Sequence, residues 1–340
     1  MFSLYADFMC LEALSLCAKQ QPGRVKDMKL RRCIPIASIW FTAFFMSSIT
    51  SQNHEDAIAR FLTNDSEIYD YWPTFSPDGK TILFSRSSNK RLTWELFTIS
   101  LSGGEAKKFT EKQLPVSSTR ANWSTKDNVI AFSGTTLTGK ATVWLIDTDG
   151  SNPRQLVTEE LLDQVYYPSW YPGGSSLAVM DANELSIKRI EFNDNIVTTL
   201  TSNSQVFTGM PSVSPDGKWI AFAGQENKGL EYNQAKNSIW LITDEGDVRT
   251  LESNPAQGRT PSWSPDGQWL AFESDRGNAD GLYAIFIIHR DGTRLQRISS
   301  YEISANHPVW SPNGRQLVFS AHHTKNSDAS GIAVVDVSVE

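Results

Sequence analysis

The chain has 340 residues, a formal net charge of −7 and 20% charged side chains. It is long enough to bury a core without disulfide or metal staples and too weakly charged for extended disorder. It is also too acidic for a general nucleic-acid binder, which needs a basic face. Aromatics reach 11%, with 11 Trp, beside 21 Gly and 15 Pro. Many aromatics among many turn residues predict short strands. The three Cys (Cys10, Cys17 and Cys33) all precede residue 50. No disulfide framework, Cys-ligated zinc or Cys nucleophile is therefore expected in the body of the chain.

Residues 1–50 are expected to be a leader. Lys29-Leu-Arg-Arg32 is basic, 34–46 is apolar, and 47–51 is small and polar, the layout of a secretory signal peptide. We read 28–50 as that signal, Met28 as the start and 1–27 as an upstream over-extension. An uncleaved anchor competes, because the uncharged run is nearly long enough to span a bilayer. Residues 51–56 read as a linker.

From there a short phrase recurs six times. It reads Pro73-Thr-Phe-Ser-Pro-Asp-Gly79, then 121–127, 168–174, 211–217, 261–267 and 308–314, at steps of 48, 47, 43, 50 and 47 residues. In Ser-Pro-Asp-Gly, Pro presets φ, Asp bonds nearby backbone and Gly takes the positive-φ position, which makes a tight hairpin. Asp78, Asp216 and Asp266 are thereby read as turn residues. Each phrase leads into an apolar run such as Trp219-Ile-Ala-Phe222. A third run such as Ile239-Trp-Leu-Ile242 and a short fourth such as Val248-Arg-Thr-Leu251 follow. Four short strands per period is the arithmetic of a β-propeller blade. The sixth repeat ends after its third strand, and the missing piece stands at 59–63. The expectation is an all-β, six-bladed propeller of four-stranded blades over 57–340, closed by pairing of its N- and C-terminal strands.

The phrase with its Ile-Ala-Phe successor resembles the TolB-like propeller repeat, a cousin of WD repeats, over roughly residues 57–340. Repeat two departs at Ala121 and Asp127, repeat three at Tyr171 and Gly173. The resemblance implies an exported, periplasmic or secreted protein that binds other proteins. Nothing ahead of residue 57 matches the α/β domain that the family's namesake carries. The same repeat occurs in sugar-acid (oligogalacturonate) lyases and beside the hydrolase domain of prolyl oligopeptidase-like enzymes.

In such a blade the turns after strands one and three share one face, and the loops after two and four share the other. The second-to-third loops are long and dissimilar (86–93, 225–237, 275–281 and 322–330), and binding residues concentrate on variable loops over a rigid scaffold. The residues before each first-strand Pro should ring the channel mouth on that face: Trp72, Arg120, Tyr167, Met210, Thr260 and His307, preceded by Tyr71, Thr119, Tyr166, Gly209, Arg259 and Asn306. Trp72, Arg120, Tyr167, Arg259 and His307 are the candidate binding residues. The expected ligand is a protein or peptide, with no cofactor, no metal, no nucleic acid, no stable membrane insertion after leader cleavage, and a monomeric state. His307, His322, His323 and Asp328 could share a metal, but solvated loop His are the commoner case. The Asp147-Thr-Asp-Gly150 turn lacks the spacing of a calcium loop. No G-x-S-x-G, H-E-x-x-H or phosphate-binding loop is present. Glu273 and Asp275 could act as acid and base, though solvated loop charges are the plainer reading. The competing expectation is a sugar-acid lyase using His307, His322 or Arg259.

Overall fold

The Ser-Pro-Asp-Gly phrases fold as tight turns held by their own side chains. Ser76 Oγ donates to Asp78 Oδ1 at 2.6 Å, and the same carboxylate accepts the Lys80 N–H at 3.1 Å. Gly79 takes φ 71°, a conformation that costs a residue with a Cβ. The computed structural model describes residues 58–193, 196–229, 231–243, 246–251, 257–278, 280–322 and 329–339. The chain divides into two units, Met1–Glu55 and Asp56–Glu340, and the described residues belong to the second. The leader, the linker, the three Cys, Ala57, His323 and Asp328 lie outside the described residues.

The first repeat contributes β1 (Arg60–Phe61), β2 (Tyr69–Phe75), β3 (Thr81–Ser87), β4 (Glu95–Ser100) and β5 (Lys107–Lys108). Next come β6 (Ser117–Trp123), β7 (Val129–Thr135), β8 (Ala141–Asp147) and β9 (Arg154–Gln155). The third set is β10 (Val165–Trp170), β11 (Ser176–Asp181), β12 (Ser186–Glu191) and β13 (Ile196–Thr199). The fourth is β14 (Val206–Val213), β15 (Trp219–Glu226), β16 (Ser238–Thr243) and β17 (Val248–Thr250). Then come β18 (Arg259–Trp263), β19 (Trp269–Ser274), β20 (Ala284–His289) and β21 (Gln296–Arg297), and finally β22 (Ala305–Trp310), β23 (Gln316–His322) and β24 (Ser330–Asp336).

The architecture is an all-β propeller, but the expectation of six separate four-stranded blades is corrected. Four four-stranded sheets form: β6–β9, β10–β13, β14–β17 and β18–β21. The remaining eight strands make one continuous sheet in the order β22-β23-β24-β2-β3-β4-β5, with β1 paired to β24. The join is a parallel contact between Tyr69 in β2 and Ser330 in β24. Ser330 N–H donates to Ile68 O at 3.3 Å, and its Oγ donates to Asp70 O at 3.1 Å. Similar bridges at Trp94–Ser117 and Ala141–Gln164 stay isolated, because one partner of each lies outside a strand. Both Tyr69 and Ser330 lie inside strands, so there the two sheets fuse.

The chain ends meet in that sheet. β1 runs antiparallel to β24, with Arg60 opposite Val334 and Phe61 opposite Ala333. Ile332 N–H donates to Thr63 Oγ1 at 2.8 Å. This covers an edge that would otherwise invite pairing with another chain. The first strands pack in succession: β2 on β6, β6 on β10, β10 on β14, β14 on β18, β18 on β22, and β22 on β2. The core lies between sheets. Phe84, Phe132, Phe222, Phe272 and Phe319 hold equivalent places in the second strands and are fully buried. Trp170 Nε1 donates to Asn122 O at 2.9 Å and Trp263 Nε1 to Ser212 O at 3.0 Å, so these repeat-phrase tryptophans tie one sheet to the one before.

Candidate functional site

Every first strand carries a bulge at the position the repeat phrase marks. Tyr71 faces Ser85 but Thr74 faces Leu83, so two residues of β2 oppose one of β3. The same shift occurs at 119/122, 166/169, 209/212, 259/262 and 306/309. The residue at the bulge is left-handed each time: Trp72 (φ 53°), Arg120 (54°), Tyr167 (56°), Met210 (55°), Thr260 (48°) and His307 (56°). None is glycine, and each such position stores about 1–3 kcal/mol of backbone strain. Bulges re-aim side chains and gather next to binding sites.

Four of the five candidate residues come together. The Arg120 guanidinium lies over Trp72 at 4.3 Å, over Tyr167 at 4.5 Å and over Tyr166 at 5.3 Å. The Trp72 and His307 rings are 5.6 Å apart. Arg120 is buried, and its NH1 group donates to Thr119 Oγ1 at 3.1 Å.

Arg259 is placed differently. It forms a buried ion pair with Glu273, NH2 to Oε1 at 2.7 Å, and its guanidinium covers Tyr283 at 4.4 Å. The other carboxylate oxygen accepts the His307 backbone N–H at 2.8 Å. Burial pushes the Glu273 carboxyl up, but Arg259 and His307 outweigh it and hold it below the ordinary glutamate value. A buried carboxylate fixed by these partners is a strut, so the acid–base reading of Glu273 with Asp275 gains no support. Ser320, at the matching register position of β23, accepts the Trp72 N–H at 3.1 Å. At two of the six bulges the strained residue's N–H is thus caught by the second strand of the preceding repeat.

Sequence reasoning named Tyr71 and Tyr166 only as neighbours, and it missed Trp94 and Arg91. Tyr71 OH meets His322 Nε2 at 3.0 Å, and Arg91 donates to the same hydroxyl at 3.3 Å. Trp94 packs edge-on against Trp72 at 4.9 Å. A signal was available: Arg91 and Trp94 stand in or beside the long 86–93 loop. Among the described residues no group of three His, Cys, Asp or Glu is arranged to hold a metal.

At the other end of the strands lies a groove of about 590 Å³, lined by Pro77, Asp78, Phe109, Trp123, Asp127 and Asp149 among others. Gly79, Gly217, Gly267 and Gly314 each rest on the Pro of the preceding repeat, as Gly217 does on Pro172, whereas Gly174 meets Lys126 and Asp127. Asp127 stands where that Gly would be, and the groove opens beside it.

The family model described as the TolB beta propeller domain matches residues 46–234. The chain belongs to that family. An uncharacterized protein of Agrobacterium fabrum is 25% identical over 204 residues, which cover 58% of this chain and 66%, just under two thirds, of that relative. Among solved structures, a protein described as TolB from Agrobacterium tumefaciens superposes with a TM-score of 0.61 at 20% identity, over 82% of this chain and 94% of that one. TolB from Acinetobacter baumannii gives 0.56 at 16% identity, over 80% and 64%. An oligogalacturonate lyase from Vibrio parahaemolyticus gives 0.52 at 13% identity, over 84% and 95%. At these identities the likenesses show a shared fold. Among the described residues of this TolB-family propeller, no helix is long and apolar enough to cross a membrane.

Proposed function

We propose that this TolB-family propeller is an exported, non-enzymatic scaffold that binds a protein or peptide segment at its channel mouth. The observation that carries this reading is the meeting of Trp72, Arg120, Tyr167 and His307, each on a strained bulge of a different first strand. Strain of this kind persists where surrounding structure over-determines it, and it clusters at ligand clamps. Trp, Tyr and Arg are also the side chains that dominate protein interfaces energetically. The lyase reading fares less well. Arg259 is held by Glu273, and His322 by the Tyr71 hydroxyl. We place the protein in the periplasm or outside the cell after removal of 28–50, as a monomer.

The test is a synthetic peptide array probed with the purified protein and with its Tyr167→Ala variant. Segments that bind the parent and are lost by the variant, at unchanged thermal stability, support the reading. An array on which no segment binds overturns it.

A further inference from the structure

One outer strand is unlike the others. The last strand of each repeat is an open edge, and a bare edge invites pairing with another chain unless charged side chains, Lys above all, blunt it. Five of the six outer strands carry such a charge: Arg60 in β1, Lys107 in β5, Arg154 in β9, Arg249 in β17 and Arg297 in β21. β13 carries none. It reads Ile196-Val-Thr-Thr199, and no charged residue stands between Asp194 and Asp216. At four residues it is also the longest of the six, and its register on β12 has no bulge. Ile196 is 50% exposed.

The backbone of this edge is turned outward. Leu200 N–H donates to Ile187 O at 2.8 Å, toward β12. Backbone groups alternate along an antiparallel strand, so Val197 and Thr199 present their N–H and C=O away from β12, and β13 ends its sheet. The charges on β12 are held by partners of their own. Arg189, opposite Thr198, pairs with Glu191, opposite Ile196, at 2.6 Å. Lys188, opposite Thr199, pairs with Asp181 and Glu184. An uncharged strand matches this edge best. Four residues span about 13 Å, and an edge that short cannot by itself bury the roughly 1,200 Å² of a stable interface between folded proteins. It suits an extended segment rather than a second folded copy.

We infer that β13 is a second interaction surface, which takes an extended, uncharged segment of a partner protein as a fifth strand of its sheet. Main-chain hydrogen bonds to Val197 and Thr199 hold the segment, and Ile196 meets an apolar or β-branched side chain on it. The surface lies three strands out from β10, which carries Tyr167, and does not depend on what the mouth binds.

The experiment titrates the purified protein with a fluorescent hexapeptide of alternating Val and Thr, and with the same peptide N-methylated at alternate residues. Thr198→Lys and Thr198→Ser variants are titrated alongside, since Thr198 is exposed. The expected result is that the plain peptide binds the parent and that N-methylation weakens it about tenfold or more, the loss of two hydrogen bonds. Thr198→Lys should weaken it about fivefold or more, Thr198→Ser should leave it unchanged, and added salt should have little effect. If Thr198→Lys does not fold, the N-methylated peptide and the salt series on the parent decide. No binding of the plain peptide, equal binding of both peptides, or unchanged binding by folded Thr198→Lys overturns this inference. So does a parent dimer in sedimentation that Thr198→Lys abolishes, because a second copy would then occupy the edge. Each of these failures leaves the binding function of the mouth standing.

Discussion

The backbone N–H of His307 donates to Glu273 Oε2 at 2.8 Å, across the seam between two sheets. The other oxygen of that carboxylate is held by Arg259. A left-handed residue, an inner strand and a buried ion pair are thereby coupled in one arrangement.

Removing one partner should be costly. Glu273→Ala leaves Arg259 buried without its anion, and breaking a buried pair from one side costs about 3–5 kcal/mol. The double variant Glu273→Leu with Arg259→Met should recover much of that loss. Urea unfolding of the three proteins checks both expectations.

The same carboxylate sets a pH dependence. Its folded pKa lies below the ordinary value of 4.5, so the unfolded chain binds the extra proton first as pH falls. The stabilisation is complete above the unfolded value and disappears as pH drops through the folded one. Unfolding midpoints should therefore fall in acid, and the slope below about pH 5 should be shallower in Glu273→Gln.

Met210 tests the bulge conformation. It sits at φ 55° and is only half-buried. A β-branched side chain fits that region badly, so Met210→Ile should destabilise by about 1–2 kcal/mol. Met210→Gly relieves the strain, and its thermal midpoint should stay at or above that of the parent. A drop for Gly as large as that for Ile would mean the bulge is unstrained.

The closing strand offers a fourth test. Removing 58–63 strips β1 from β24 and takes away Thr63, whose hydroxyl oxygen accepts the Ile332 N–H. An exposed edge strand invites intermolecular pairing. The truncated protein should unfold at a lower temperature, be cleaved sooner by protease near β24, and aggregate on concentration.

Parts of the site were legible in the chain and parts were not. The repeat phrase located Trp72, Arg120, Tyr167 and His307, because the bulge stands at a fixed offset from its turn. The partners of those residues were hidden. Glu273 reads as a loop acid until the fold sets it under the backbone of a residue 34 positions away. The groove lined by Pro77 and Asp127 lies where the second phrase has Asp in place of its Gly, and the sequence showed the departure without the groove.

The amino-acid sequence by itself determined the period, the turns, the apolar second-strand runs that carry Phe84, Phe132, Phe222, Phe272 and Phe319, and the shared use of the two chain ends. Turn chemistry acts within four residues and an apolar run is contiguous in the chain, and the complementarity of the ends follows from counting strands per repeat. Only the tertiary structure decided how the strands divide into sheets. Tyr69 and Ser330 are far apart in the chain, and whether they pair depends on how the closing strand brings β2 against β24. No pattern within a single repeat encodes that contact, so five sheets form where the repeat count alone had pointed to six.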